Sequence, residues 1–151
     1  MRKRKLVGSL VVAIAATALA AAPASANSDS DSATYGTYKM STYAYIDSWA
    51  GWDNCGKFNT YAKTNKTVAA LTHSIEWDPI GVGASANVKG VGLAISGNNT
   101  GSPTLSFTNK NATSASISGT ACASWSTIYL GVFSTGSTKI GGHYLTSTSH
   151  V

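Results

Sequence analysis

The sequence predicts an all-β fold, a small β-sandwich or barrel-like domain with one disulfide and an extended N-terminal arm. Short segments alternate apolar and polar side chains with the period of two that a half-buried strand requires. Clusters of Gly, Asn and Ser separate these segments at intervals of roughly 8 to 12 residues, a spacing typical of sandwiches and small barrels. Beyond residue 26, no segment has the 3.6-residue period of an amphipathic helix.

Residues 1–26 have the three parts of a secretory signal peptide. Residues 2–5 are all basic, residues 6–22 form an apolar run, and Ala24 and Ala26 provide an A-x-A cleavage site. The alternative is a retained membrane anchor, against which the cleavage site argues. Cleavage removes 26 of the 151 residues and leaves 125, beginning at Asn27. We therefore expect a secreted, extracellular protein without a membrane anchor after signal cleavage.

Residues 27–50 are interpreted as a polar lead-in followed by an aromatic arm. Residues 27–34 (NSDSDSAT) have almost nothing to bury, which predicts a disordered segment. From Tyr35 onward the segment is aromatic, and Tyr43 and Tyr45 fall on the opposite face of an extended segment from Ala44 and Ile46. We expect the β-sandwich domain to occupy residues 51–151.

The remaining strands follow from the same alternation. In residues 68–77 the apolar face carries Leu71, Ile75 and Trp77, and Asp78 with Pro79 is expected to end the strand. Further strands are predicted at 55–63, 82–88, 91–95, 105–107, 113–123, 128–133 and 140–144, with turns at 51–54, 97–101, 109–111 and 134–137.

Cys55 and Cys122 are the two cysteines of the chain, and an exported domain with an even number of cysteines usually oxidises them. Closing the intervening loop removes unfolded-state entropy worth on the order of 4 kcal/mol. A zinc site would need further ligands at suitable spacing, but His73, His143 and His150 lie far from both cysteines in sequence. We predict a disulfide, with no metal and no cofactor.

Signal cleavage changes the charge of the chain. Four of the 11 basic residues leave with the signal peptide, so that 7 lysines face 6 acids and the mature net charge is +1. The lysines are scattered singly along the sequence and no arginine remains. This pattern does not favour a nucleic-acid partner or attachment to a charged membrane surface.

Candidate catalytic residues are few. No G-x-S-x-G nucleophile elbow occurs. Glu76 and Asp78 share a face of their predicted strand, but a pair beside Pro79 more often belongs to a turn. His73 lies on an apolar face, where a hydrogen-bonded core histidine is the expected role. The sequence favours a protein that is not an enzyme.

The aromatic residues are concentrated near the mature N-terminus. Eight of the 14 lie within residues 35–61. Tyr and Trp are the residues that binding surfaces use, although aromatics at 49–61 are also suited to filling the core. Ahead of the first cysteine, an extended arm can add a strand to the edge of a partner's sheet. The predicted partner-binding residues are Tyr35, Tyr38, Tyr43 and Tyr45.

The signal ending PASA, the stretch WDPIGVGASANV at residues 77–88 and the G-V-G elements at 81–83 and 90–92 resemble small secreted β-proteins of filamentous actinobacteria. In size and layout the chain is similar to the bridging subunit of umbrella toxin particles. The resemblance implies a non-enzymatic adaptor that links a lectin-like subunit to a large antibacterial toxin subunit. It also implies an N-terminal strap inserted into a partner, which corresponds here to residues 35–45.

Two other functions remain open on the sequence. A carbohydrate-binding module could stack sugar rings on Trp49 or Trp52 at a flat sheet face. A small enzyme inhibitor would need a rigid exposed loop held by the disulfide. Cys55 and Cys122 enclose most of the domain, which favours stabilisation of the whole fold over support of one loop.

Overall fold

The computed structural model of the protein describes residues 27–47, 55–81, 84–88, 91–95, 104–124 and 127–151. The predicted signal peptide and both Trp49 and Trp52 lie outside these residues. Within them, every regular element is a β-strand, and no helix is long and apolar enough to cross a membrane. The strands are β1 (Asn27–Tyr35), β2 (Tyr38–Ile46), β3 (Cys55–Gly81), β4 (Ala84–Val88), β5 (Val91–Ile95), β6 (Thr104–Cys122), β7 (Thr127–Ile140) and β8 (His143–His150).

The predicted all-β fold is confirmed, and the eight strands form a single antiparallel sheet. The strand order is β1-β2-β3-β6-β4-β5, while β7 pairs with β3 and β8 pairs with β7. The long strands β3 and β6 run through both halves of this sheet. Their register shifts between Lys63 and Val68, where the sheet folds over into two layers. Layer one contains β1, β2, β4, β5 and residues 55–64 and 114–122, and layer two contains β7, β8 and residues 68–81 and 104–112.

The second half of β3 lies over its first half. Phe58 and Trp77 belong to the same strand, yet their rings meet edge to face with centroids 4.8 Å apart. Gly136 of layer two, the register partner of His73, lies directly over Met40 and a neighbouring alanine of layer one. Large side chains from both layers fill the space between them, and many are fully buried: Trp77, Phe58, Met40, Ile46, Leu71, Ile75, Leu130 and Val132. This burial is the main stabilising contribution to the fold.

The predicted disulfide between Cys55 and Cys122 is confirmed. The two cysteines are register partners of β3 and β6 in layer one. The bond therefore connects the two strands that pass through both layers.

The prediction that residues 27–34 are disordered is wrong, because they form β1 and pair with β2 along its whole length. Three hydrogen bonds to β8 explain how so polar a strand is held. Asp29 Oδ2 accepts the backbone N–H of His150 (3.0 Å), and Asp31 Oδ2 accepts the Ser147 hydroxyl (3.0 Å) and the backbone N–H of Thr148 (3.4 Å). The carboxylates thus cover the outer edge of β8, which has no strand beyond it among the described residues. We call this contact line the β1–β8 seam.

Three predicted breaks also lie inside strands. Asp78 and Pro79 continue β3 and pair with β7. The pairing of β3 with β6 ends at Glu76, so among the described residues Pro79 has a neighbouring strand on one side only. Proline, which has no N–H, is tolerated at such a position. Residues 134–137 lie within β7, and the chain turns instead at Gly141 and Gly142, both with positive φ. Residues 109–111 lie within β6, at the fold between the layers.

Candidate binding surfaces

The β1–β2 hairpin carries all four tyrosines that were predicted to bind a partner. The segment is extended, as predicted, and it is held within the domain because β2 pairs with β3 from Met40 to Ile46. Arm and domain are therefore one folded unit in the part of the chain that the structure describes. The structure divides the four tyrosines into two pairs at different places on the molecule.

Tyr43 and Tyr45 form one pair, on the outer face of layer one. Every second residue of β2 is buried, among them Ala44 and Ile46, so the tyrosines between them point outward. Tyr43 is the register partner of Tyr61 on β3, and their rings stack with centroids 5.0 Å apart and planes 18° apart. We call Tyr43, Tyr45 and Tyr61 the tyrosine face.

Hydrogen bonds to Asp47 hold the Tyr45 ring in place. The Tyr45 hydroxyl donates to Asp47 Oδ1, and the backbone N–H of Lys57 donates to Asp47 Oδ2 at 2.7 Å. The hydrogen bond to Asp47 raises the pKa of Tyr45, and the same bond, with that from Lys57, lowers the pKa of Asp47. Both groups therefore keep their ordinary charges at neutral pH, and the ring orientation does not depend on pH there.

A shallow open groove of about 560 Å³ lies beside the tyrosine face. Short polar side chains form its floor, from Asn59, Ser118 and Thr120, and Tyr43 and Tyr45 stand at its side. The floor offers hydrogen-bond donors and acceptors, and the tyrosines offer apolar ring surface. This arrangement can hold a polar group that has one apolar face.

Tyr35 and Tyr38 form the other pair, at the end of the domain where the layers fold over. We call this the bend end and define it by residues 34–39, 64–70, 109–113 and 139–144. The Tyr35 ring contacts His143 with centroids 5.0 Å apart, and Lys66 Nζ lies 5.2 Å from the centroid of the Tyr38 ring. Tyr144, which the sequence did not single out, is 74% exposed at the same end.

The residues considered for catalysis do not converge on an accessible site. His73 is fully buried, as predicted for a core histidine, and its Nε2 lies 3.1 Å from the Ser134 hydroxyl, which is also fully buried. Desolvation lowers the pKa of His73 to about 4, so the ring is neutral at neutral pH. Asp78 lies 3.7 Å from Nε2 of His150. No group of three potential metal ligands occurs among the described residues.

Comparison with known proteins adds no relative from which a function could be taken. The chain matches no protein-family model, and no curated protein or solved structure is significantly similar to it.

Proposed function

We propose that the protein is a secreted, non-enzymatic adaptor that joins two partner proteins in an extracellular complex. The observation that carries the proposal is the division of the hairpin tyrosines between two surfaces. Tyr38 and Tyr45 are seven residues apart on β2, about 23 Å at roughly 3.3 Å per residue. Tyr45 points outward from layer one, whereas Tyr38 is half-buried against the core and leaves Tyr35 as the more exposed ring of its pair. Two partners can therefore occupy the tyrosine face and the bend end at the same time.

Tyrosine suits such contacts because each ring provides a large area of limited flexibility and one hydroxyl. The edge of β2 is already paired with β1, so the hairpin offers side chains to a partner and not the free edge of β2. We therefore propose contact through Tyr43, Tyr45 and Tyr61 at one surface and through Tyr35 and neighbouring rings at the other. This replaces strand addition as the proposed mode of binding.

The partners follow from the resemblance to the bridging subunit of umbrella toxin particles. On that basis we propose a lectin-like subunit and a large antibacterial toxin subunit as the two proteins joined. No nucleic-acid partner is proposed.

Capture experiments with matched variants test the adaptor function. The mature protein, tagged after Val151, is incubated with culture supernatant of the organism that encodes it, and the bound proteins are identified by mass spectrometry. We expect two different proteins, one lost with the double variant Tyr43→Ser/Tyr61→Ser and the other lost with Tyr35→Ser/Tyr144→Ser. Ser106→Ala, a substitution at an exposed residue, is the control and should still capture both proteins.

Recovery of the bait alone, at the concentration found in the supernatant, contradicts the proposal. So does a single partner that is lost equally with both double variants, since one surface would then be sufficient. Circular dichroism and the Tm of each variant establish that the fold is retained.

The groove beside the tyrosine face favours glycan binding as a second candidate. Its polar floor of Asn59, Ser118 and Thr120 next to Tyr45 matches a sugar ring, which has hydroxyls at its rim and an apolar face. Calorimetric titration with soluble oligosaccharides tests this function. Tyr45→Ala should abolish the binding heat and Tyr144→Ala should leave it unchanged, whereas no heat with the unmodified protein excludes the candidate for the sugars tested.

A further inference from the structure

The fold gathers lysines that are scattered in the sequence. Seven lysines remain after signal cleavage, and four of them lie at the bend end: Lys39, Lys66, Lys110 and Lys139. A fifth, Lys63, directly precedes the 64–70 segment on β3, and its Nζ lies 4.5 Å from the centroid of the Tyr61 ring. All five are exposed. The low mature net charge therefore conceals one strongly basic end.

Strand register explains how this cluster forms. In layer two, Lys110 on β6 is the register partner of Ala70 on β3. On the other side of β3, Thr138 on β7 is the partner of Leu71, so the next residue, Lys139, lies level with Ala70. The two lysines therefore lie on either side of β3, on the same outer face. In layer one, the backbone N–H of Lys39 donates to the side chain of Asn65 (2.8 Å), which places Lys39 beside the bend of β3. Each of the four chain segments at the bend end contributes at least one lysine.

Acidic residues are segregated from these lysines. The four segments of the bend end contain no Asp or Glu. Asp47, Glu76 and Asp78 lie toward the opposite end of the strands, and Asp29 and Asp31 accept hydrogen bonds at the β1–β8 seam. Among the described residues, none of the five lysines forms an ion pair. Their positive charge is therefore available to a ligand.

The same end also offers aromatic surface and a hollow. Lys66 and Lys139 lie over the rings of Tyr38 and Tyr144, at 5.2 and 5.6 Å from the ring centroids. Between the β1–β2 and β7–β8 turns is an indentation of about 220 Å³, lined by Tyr38, Thr67, Val68, Ala69, Lys139, Ile140 and Gly141. A cavity of about 150 Å³ is enough for a benzene ring, so one large apolar side chain fits.

We propose that the bend end binds an acidic segment of a partner protein, with carboxylates on the lysines and one apolar side chain in the hollow. The proposal rests on the adaptor function and names the chemistry of the partner at one of its two surfaces. Opposite charges steer the encounter and set its specificity, while the buried apolar anchor provides the affinity.

The hollow and the exposed rings favour a protein over a phosphate polymer. The indentation has a mixed polar and apolar lining, and a polyphosphate chain has charge for the lysines but no apolar group to place against Ile140 and Tyr38. The mature chain also has no arginine, the residue that pairs with phosphate through two parallel hydrogen bonds. A protein segment uses both features of this end.

Nuclear magnetic resonance of the ¹⁵N-labelled mature protein tests the proposal. The probe is a synthetic 15-residue peptide of alternating Glu and Ser with a central Phe. Three comparison ligands are used: the peptide with every Glu replaced by Gln, the peptide with the Phe replaced by Ser, and inorganic polyphosphate. We expect amide shifts confined to the bend end and weaker binding by both altered peptides. Affinity should fall about threefold with Lys139→Glu and about tenfold with Lys66→Glu/Lys139→Glu.

Lys57→Glu is the matched control, because it makes the same charge change at an exposed lysine beside the groove of layer one. Equal weakening by Lys57→Glu and Lys139→Glu overturns the proposal, because only net charge would then matter. Polyphosphate binding as tightly as the Phe-containing peptide also overturns it and identifies a phosphate polymer as the ligand. If two partners are captured but the peptide does not bind, this proposal fails and the adaptor function stands; the reverse outcome rejects the adaptor function alone.

Discussion

The buried imidazole of His73 should make the stability of the domain depend on pH between about 4 and 6.5. The ring is fully buried in layer two, its Nε2 faces the Ser134 hydroxyl, and its edge-to-face neighbour is Phe107. Nδ1 has no hydrogen-bond partner among the described residues. A proton on this ring therefore finds no compensating group, and desolvation lowers the pKa from 6.5 to about 4.

The sign and size of the effect follow from proton linkage. Between pH 6.5 and about 4, the unfolded chain binds a proton at His73 and the folded protein does not, so the free energy of unfolding falls as the pH is lowered. Because the pKa falls from 6.5 to about 4, and each tenfold change in proton affinity is worth roughly 1.4 kcal/mol, the loss across this window is about 3 kcal/mol. Below pH 4 this group contributes no further change. Asp31 and Asp47, whose pKa values are lowered below 3.8, lose their contribution only at still lower pH.

Urea unfolding monitored by tryptophan fluorescence, with the disulfide intact, measures this loss. His73→Gln retains a group that can hydrogen-bond to Ser134 but does not titrate, and His143→Gln is the control at an exposed histidine. The unmodified protein and His143→Gln should lose about 3 kcal/mol more than His73→Gln between pH 6.5 and 4. Parallel curves for all three proteins would refute the assignment of this pH dependence to His73, whatever the absolute stability of the variants.

Three further predictions concern the architecture. Replacing Cys55 and Cys122 by Ser should lower the free energy of unfolding by about 4 kcal/mol, measured in urea, and added reductant should affect only the unmodified protein. Asp31→Ala should speed hydrogen exchange at the amide of Thr148 and leave the core of β3 unchanged, since it removes the acceptor at the β1–β8 seam; unaltered exchange there would contradict that role. Gly136→Ala should lower the free energy of unfolding by about 1 to 3 kcal/mol, read as a lower Tm, because its Cβ would lie 2.7 Å from another side chain. A neutral effect would instead favour the turn that the sequence predicted at 134–137.

Alternation was sufficient to predict most of the strands and their buried faces. Ala84, Ala86 and Val88 are buried as the pattern predicts, and so are Ala115 and Ile117. The same pattern correctly placed Tyr43 and Tyr45 on the face opposite Ala44 and Ile46. Side-chain period is a local property, which is why a single sequence reveals it.

Long-range features were not accessible in this way. The Ser and Asp residues of β1 have no local reason to be ordered, because the groups that hold Asp29 and Asp31 lie on β8, more than 100 residues further along the chain. The bends of β3 and β6 occur where no proline interrupts the strands. The basic end could not be predicted either, because it depends on which lysines strand register brings together.

Because one sheet folds into two layers, the same two strands connect the layers at the bend end. β3 and β6 run from one layer into the other at the bend end. The layers can therefore separate there only if both strands lose their hydrogen bonds to neighbouring strands. Side chains also join the two layers, among them the carboxylates of the β1–β8 seam. Lys66 and Lys110 lie on these two continuous strands, so we expect their spacing to be largely set before a partner binds. A ligand that meets charges already in position loses less conformational entropy in binding than one that must organise them.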